Sequence, residues 1–140
     1  MAYTAMNMAK YIIDKCTKDQ HPISNLQLQK ILYYVQKAFL QSGKIAFGDD
    51  IEAWQFGPVV PEVYYQYCGF GAMPIRMNYE VDISDKDVSR IDPIVEIKRS
   101  LNPWDMVEDT HMDGKAWAEI YNNGLGNHRI IPKDLIRRKG

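Results

Sequence analysis

The chain has 140 residues, enough for one domain with a single core and short for two. Its hydrophobic share of 46%, charged share of 25% and net charge of -1 are those of an ordinary globular chain and give no broad electrostatic pull toward nucleic acid or an anionic membrane. No apolar run approaches the roughly 18 residues of a membrane span, and two cysteines, Cys16 and Cys68, fit buried thiols in a reducing compartment better than a disulfide scaffold. The opening Met1-Ala2-Tyr3-Thr4 lacks the basic and apolar blocks of a signal peptide, so the expected location is cytoplasmic.

No repeat, low-complexity tract or Gly/Ser linker interrupts the sequence, and residues 1–140 are read as one domain. Met8, Tyr11, Ile12 and Cys16 recur at three- and four-residue spacings, which predicts a helix from an N-cap at Thr4 to about Lys18. His21-Pro22 breaks it. Ser24 and Gln27 then form a capping box ahead of an apolar stripe of Leu28, Ile31, Leu32, Val35 and Phe39, which stops at Gly43. That unbroken stripe predicts a helix through the centre of the domain. Lys30, Tyr33 and Tyr34 lie to its sides.

After a turn at Asp49-Asp50, Ile51, Ala53 and Gln55 alternate with Glu52, Trp54 and Phe56, the pattern of a short strand in a hairpin or at a sheet edge. Gly57-Pro58 ends it, because proline donates no hydrogen bond and restricts the residue before it. Pro61 opens a further helix carrying Val63, Tyr64 and Tyr67. Tyr79, Val81 and Ile83 alternate as a second short strand. Ser84 and Asp87 cap a helix that Pro93 kinks or splits, and Asn102-Pro103 starts one whose apolar side runs through Trp104, Val107, Trp117, Ile120 and Tyr121. A turn over 122–127 leads to a last helix from Ile131-Pro132, ending in the basic Arg137-Arg138-Lys139. The fold class is mainly α (α+β): a compact helical domain with a small β-hairpin or short antiparallel sheet.

No nucleophile elbow, zinc-protease, phosphate-loop or dithiol motif is present, and no cofactor is implied. The densest polar cluster holds Asp105, Glu108, Asp109, His111 and Asp113. A His among carboxylates can ligate a divalent ion, which leaves a metal-assisted hydrolase using His111, Glu108 and Asp109 as one alternative. The same acids also complement a helix dipole while facing water. A binding role is better served: a rigid proline corner leading into a tyrosine-rich helix offers Trp54 and Tyr64 as aromatics that bury area at low entropic cost, and an exposed edge beside Trp54 would accept a partner strand.

The stretch "LQLQKILYYVQKAFLQSGKIAFGDDIEAWQFGPVVPEVYYQY" closely resembles the signature of the Panacea domain family, also described as SocA-like or phage-associated GepA-like. The matching residues are Leu28-Gln29-Lys30-Ile31-Leu32-Tyr33, then Asp49 or Asp50, Ala53-Trp54, Gly57-Pro58-Val59 and Tyr64. Ala9 to Ile13 resembles the family's opening helix. Thr110-His111, Trp117, Gly126-Asn127 and Ile130 resemble its closing region, with Ala116 standing where the family usually has proline.

The resemblance implies a non-enzymatic antitoxin of phage or mobile-element origin that neutralises a toxin encoded nearby by direct binding. A proteolytic adaptor that presents a client to a protease is the alternative. Leu28, Gln29, Lys30, Leu32, Gly57, Pro58, Val59 and His111 would form the structural motif, and Tyr33, Tyr34, Trp54 and Tyr64 the partner-binding set. A homo-oligomer stays open.

Overall fold

The computed structural model describes residues 2–140; Met1 of the expected unit lies outside them. Helix α1 (Ala5–Lys18) starts where Thr4 Oγ1 accepts the Asn7 N–H, and Asp49 accepts the Ala5 N–H at 2.8 Å. The loop aspartate is therefore a second cap, satisfying a first-turn donor that the helix itself leaves open.

Helix α2 (Asn25–Gln41) carries both halves of the Ser24/Gln27 capping box. Its apolar stripe is buried, and so are Gln29, Lys30, Tyr33, Tyr34 and Gln36 around it. A helix whose middle, residues 28–36, is buried all round must be enclosed there by its neighbours. Here α1, α3 (Pro61–Tyr67), α4 (Asp85–Lys98), α5 (Pro103–Thr110), α7 (Lys133–Lys139) and strand β2 (Gly57–Val59) all pack on it.

Strand β1 (Ile51–Trp54) pairs antiparallel with β2, Trp54 opposite Gly57, so Gln55 and Phe56 form a two-residue turn. On its other side β1 pairs antiparallel with β3 (Arg129–Ile131), giving the order β2-β1-β3. Two expectations change. Gly57-Pro58 does not end the strand but begins its partner, since proline tolerates a position that needs no ladder donor. And β1 is the central strand, so Trp54 has no free edge beside it.

Further along, Tyr79 to Ile83 forms no strand. Its neighbours are side chains: Met77 N–H donates to Thr17 Oγ1, and Tyr79 N–H to Asp14. Pro93 sits inside α4 without ending it, with Ile91 and Val95 buried on either side. The expected long helix after Pro103 is two, α5 and α6 (Ala116–Tyr121), separated by Gly114 at φ 83°. Ile131 belongs to β3 rather than opening a helix, and the basic residues 137–139 are helical in α7. Cys16 is buried as expected; Cys68 is exposed.

The result is mainly helical with a three-stranded antiparallel sheet. No helix among the described residues is long and apolar enough to cross a membrane.

Candidate functional site

The site is built from the turn of the β1–β2 hairpin outward. Lys30, in the second turn of α2, is fully buried and its Nζ donates to the carbonyl of Phe56 in that turn of the hairpin. Gly57 follows at φ 123°, a conformation that side chains rarely adopt, and a Cβ there would overlap Lys30 Nζ and lie 3.3 Å from Thr110 Oγ1. The glycine is thus what lets the lysine reach the turn. Burial pushes the Lys30 amine down to about 7.

His111 stands beside this corner. Its ring stacks on Trp117 at 3.6 Å and 3°, and Trp117 stacks on Tyr121 at 4.5 Å. Trp117 Nε1 donates to the Trp54 carbonyl at 2.7 Å, tying α6 to β1. Burial and then the positive Lys30 hold the imidazole below its usual range, against the opposing pull of the Phe56 carbonyl. Its Nε2 is buried with no hydrogen-bond partner among the described residues.

A second set of contacts fixes the helix after the corner. The Val60 N–H donates to Gln29 Oε1 at 2.9 Å, Gln29 Nε2 donates to Asn25 Oδ1 at 3.0 Å, and Asn25 Nδ2 donates to the Tyr64 carbonyl at 3.1 Å. Two buried amides thereby anchor the start of α3 and the backbone of Tyr64. Since an unpaired buried amide costs about 1–3 kcal/mol, this chain specifies one orientation of the tyrosine-bearing helix.

The four tyrosine and tryptophan residues expected to meet a partner separate into two groups. Tyr33 and Tyr34 are 2% and 7% exposed, so neither presents a face to a partner in this conformation. The cause is the enclosure of the middle of α2: Tyr34 donates its hydroxyl to Asp109 at 2.6 Å and is covered by the Lys98 ammonium at 4.0 Å. Trp54 and Tyr64 are half-buried and face outward, their rings 5.0 Å apart. Of the residues expected to form the structural motif, Leu28, Gln29, Lys30, Leu32, Gly57, Pro58 and Val59 are buried, and His111 is half-buried.

Trp54 is the centre of a larger aromatic surface. His128, exposed and at φ 70°, stacks on it at 4.4 Å and 13°, and Tyr65, 61% exposed, lies 5.9 Å away. Phe56 in the turn is 52% exposed and meets Trp104, 57% exposed, edge to face at 5.7 Å. A cavity of about 510 Å³ opens among Trp54, Phe56, Tyr64, His128 and the buried amides of α2.

Sequence reasoning placed Trp104 on an apolar side and missed Phe56, Tyr65 and His128. One signal was available for Trp104: it stands in the first turn of its helix, off the face that buries Met106, Val107 and Thr110. His128 carried none, because its position depends on a left-handed backbone after a glycine-rich turn.

The acidic cluster disperses. Asp109 accepts from Tyr34 and pairs with Lys115 at 3.0 Å; burial raises its carboxyl, but those two partners outweigh it and hold it below the usual range. His111 points into the aromatic stack, and no group of three His, Cys, Asp or Glu side chains among the described residues is placed to hold a metal ion.

The sequence model described as "Antitoxin SocA-like, Panacea domain" matches residues 28–118. This span runs from the start of the α2 stripe, through the Lys30–Gly57 corner, to the stacked Trp117. A curated relative, "Antitoxin SocA" of Caulobacter vibrioides (strain NA1000 / CB15N), is 29% identical over 138 residues, covering 89% of this chain and 73% of its own. No solved structure matches. With the match covering residues 28–118, well over half of the sequence, the chain belongs to the antitoxin SocA-like, Panacea domain family.

Proposed function

We propose that the chain is an antitoxin that neutralises a protein toxin encoded beside it by direct, non-catalytic binding, with the aromatic surface around Trp54 as its contact face. Family membership supports the antitoxin role. The observation that carries the contact face is the set of exposed aromatics, Phe56, Tyr65 and Trp104, held on a frame that is itself fully pinned. Tyrosine and tryptophan dominate interface energetics because each buries about 150–250 Å² with few rotamers to freeze. The Lys30 and Gln29 contacts fix the hairpin and α3 in advance, which lowers the ordering cost of association.

On this reading the protein works as one unit in the cytoplasm, where Cys16 and Cys68 stay reduced. The test is co-expression with the product of the adjacent gene. Stoichiometric co-purification together with restored growth is the expected result. The toxin's lifetime in those cells then separates simple sequestration, in which it persists, from presentation to a protease, in which it falls. Absence of both binding and rescue overturns the antitoxin reading.

A further inference from the structure

Resting on that reading, the chemistry of the partner surface can be narrowed. Three aromatics of this face, Trp104, Tyr65 and Trp54, each have a carboxylate placed beside them by local geometry. Glu108 follows Trp104 by one helical turn on α5, and Asp105 is its neighbour. Glu62 precedes Tyr65 by one turn on α3. Glu52 lies on the same side of β1 as Trp54 and accepts its Nε1 hydrogen at 3.0 Å. Glu62, Asp105 and Glu108 are exposed, and Glu52 is half-buried.

None of these four carboxylates is paired with a lysine or arginine among the described residues. Elsewhere most acids are paired, as Asp19 is with Lys15 and Arg99 and Glu96 is with Lys15, although Asp49, Glu80, Asp82, Asp85 and Asp113 are not among the described residues. The cation nearest the hairpin, Lys30, is sealed behind it and turned to the Phe56 carbonyl. Arg129, exposed next to His128, marks the basic limit of the face.

Aromatic faces alternating with unpaired carboxylates are complementary to one side chain above all. A guanidinium is planar, permanently charged and weakly hydrated; it stacks on Trp, Tyr or Phe while its edge donates two parallel hydrogen bonds to a carboxylate. Lysine offers only a point charge. An acidic partner or a nucleic acid would meet four repelling carboxylates, and an apolar partner would strip them of water without compensation. We infer that this face binds an arginine-rich surface of the partner protein, with guanidinium groups stacked on Trp104, Tyr65 and Trp54 and paired to Glu108, Glu62 and Glu52.

The experiment is calorimetric titration of the full chain with four synthetic probes of equal length: an oligoarginine, an oligolysine, a proline-rich peptide and a single-stranded oligothymidine. The oligoarginine should bind tightest, at least about fivefold over oligolysine, and weaken as salt rises. Trp104→Ala and Glu108→Gln should each weaken it about fivefold with helical content unchanged, while Ile97→Ala, exposed on α4, should leave it unaffected. Equal binding of oligoarginine and oligolysine, indifference to both face substitutions, or preference for the proline-rich peptide or the oligothymidine would overturn the inference.

The same variants carried into the co-expression assay keep the two readings apart. Rescue that survives Trp104→Ala and Glu108→Gln removes this face while leaving the antitoxin role intact. Loss of rescue already in the unaltered chain removes the antitoxin role, and the titration still decides the arginine preference.

Discussion

Replacing Gly57 by Ala tests the corner on which the hairpin depends. Two costs arise. At φ 123° an alanine backbone is strained, a penalty of about 1–3 kcal/mol. The new methyl also overlaps Lys30 Nζ, so the buried amine must leave the Phe56 carbonyl; losing a charge-assisted hydrogen bond adds about 1.5–3 kcal/mol. Together they come to about 2.5–6 kcal/mol, a large share of the roughly 5–15 kcal/mol that stabilises an ordinary domain. At about 3 °C per kcal/mol for a chain of this size, the melting temperature should fall by roughly 8–18 °C. Thermal unfolding followed by circular dichroism measures it. The mechanism makes a second demand: because Met lacks the amine, the Lys30→Met and Gly57→Ala pair should cost less than the sum of the single changes by about 1 kcal/mol or more. A melting temperature within about 3 °C of the unaltered chain, or strict additivity of the pair, refutes the argument.

Lys30 also predicts a pH dependence. Its amine is depressed to about 7 in the folded chain, while the unfolded chain keeps the ordinary value near 10.4. Between those values the unfolded state binds more protons, so stability should rise with pH, by up to about 1.4 kcal/mol per unit, relative to Lys30→Met. Urea unfolding at pH 7 and pH 9 for both chains gives the comparison, and parallel profiles would contradict the burial. Gln29→Leu should cost about 2–3 kcal/mol, because it strands the Val60 N–H and one end of Asn25; an unchanged urea midpoint would show that the amide relay does not hold α3. Tyr34→Phe should lower stability by about 1–2 kcal/mol through loss of the Asp109 bond while leaving growth rescue intact, since Tyr34 is 7% exposed. Loss of rescue at full stability would place it in the contact face after all.

Local sequence signals were sufficient for the elements that close on themselves. Thr4 and the Ser24/Gln27 box start α1 and α2 as the sequence predicts, and Pro61 opens α3 at its first turn. A helix cap and a 3.6-residue stripe involve residues within a few positions of one another, so they are readable from one strand of text. The motif residues were legible as a set through resemblance, but their physical linkage was not. Nothing in the spacing of Lys30 and Gly57 says that one amine fills the space where the other lacks a side chain.

What tertiary structure alone decided is which faces are inside. The surrounding elements enclose the middle of α2, residues 28–36, which buries Tyr33 and Tyr34 although both flank its stripe. The pairing of β1 with β3, over seventy residues further on, turns an expected edge into a central strand. A left-handed residue at His128 then carries that ring onto Trp54. The sequence therefore determined the first three helices, the Thr4 and Ser24 caps and the family. Exposure depends on contacts between segments far apart in the chain, and only the packed structure could separate the aromatics that finish the core from those left at the surface.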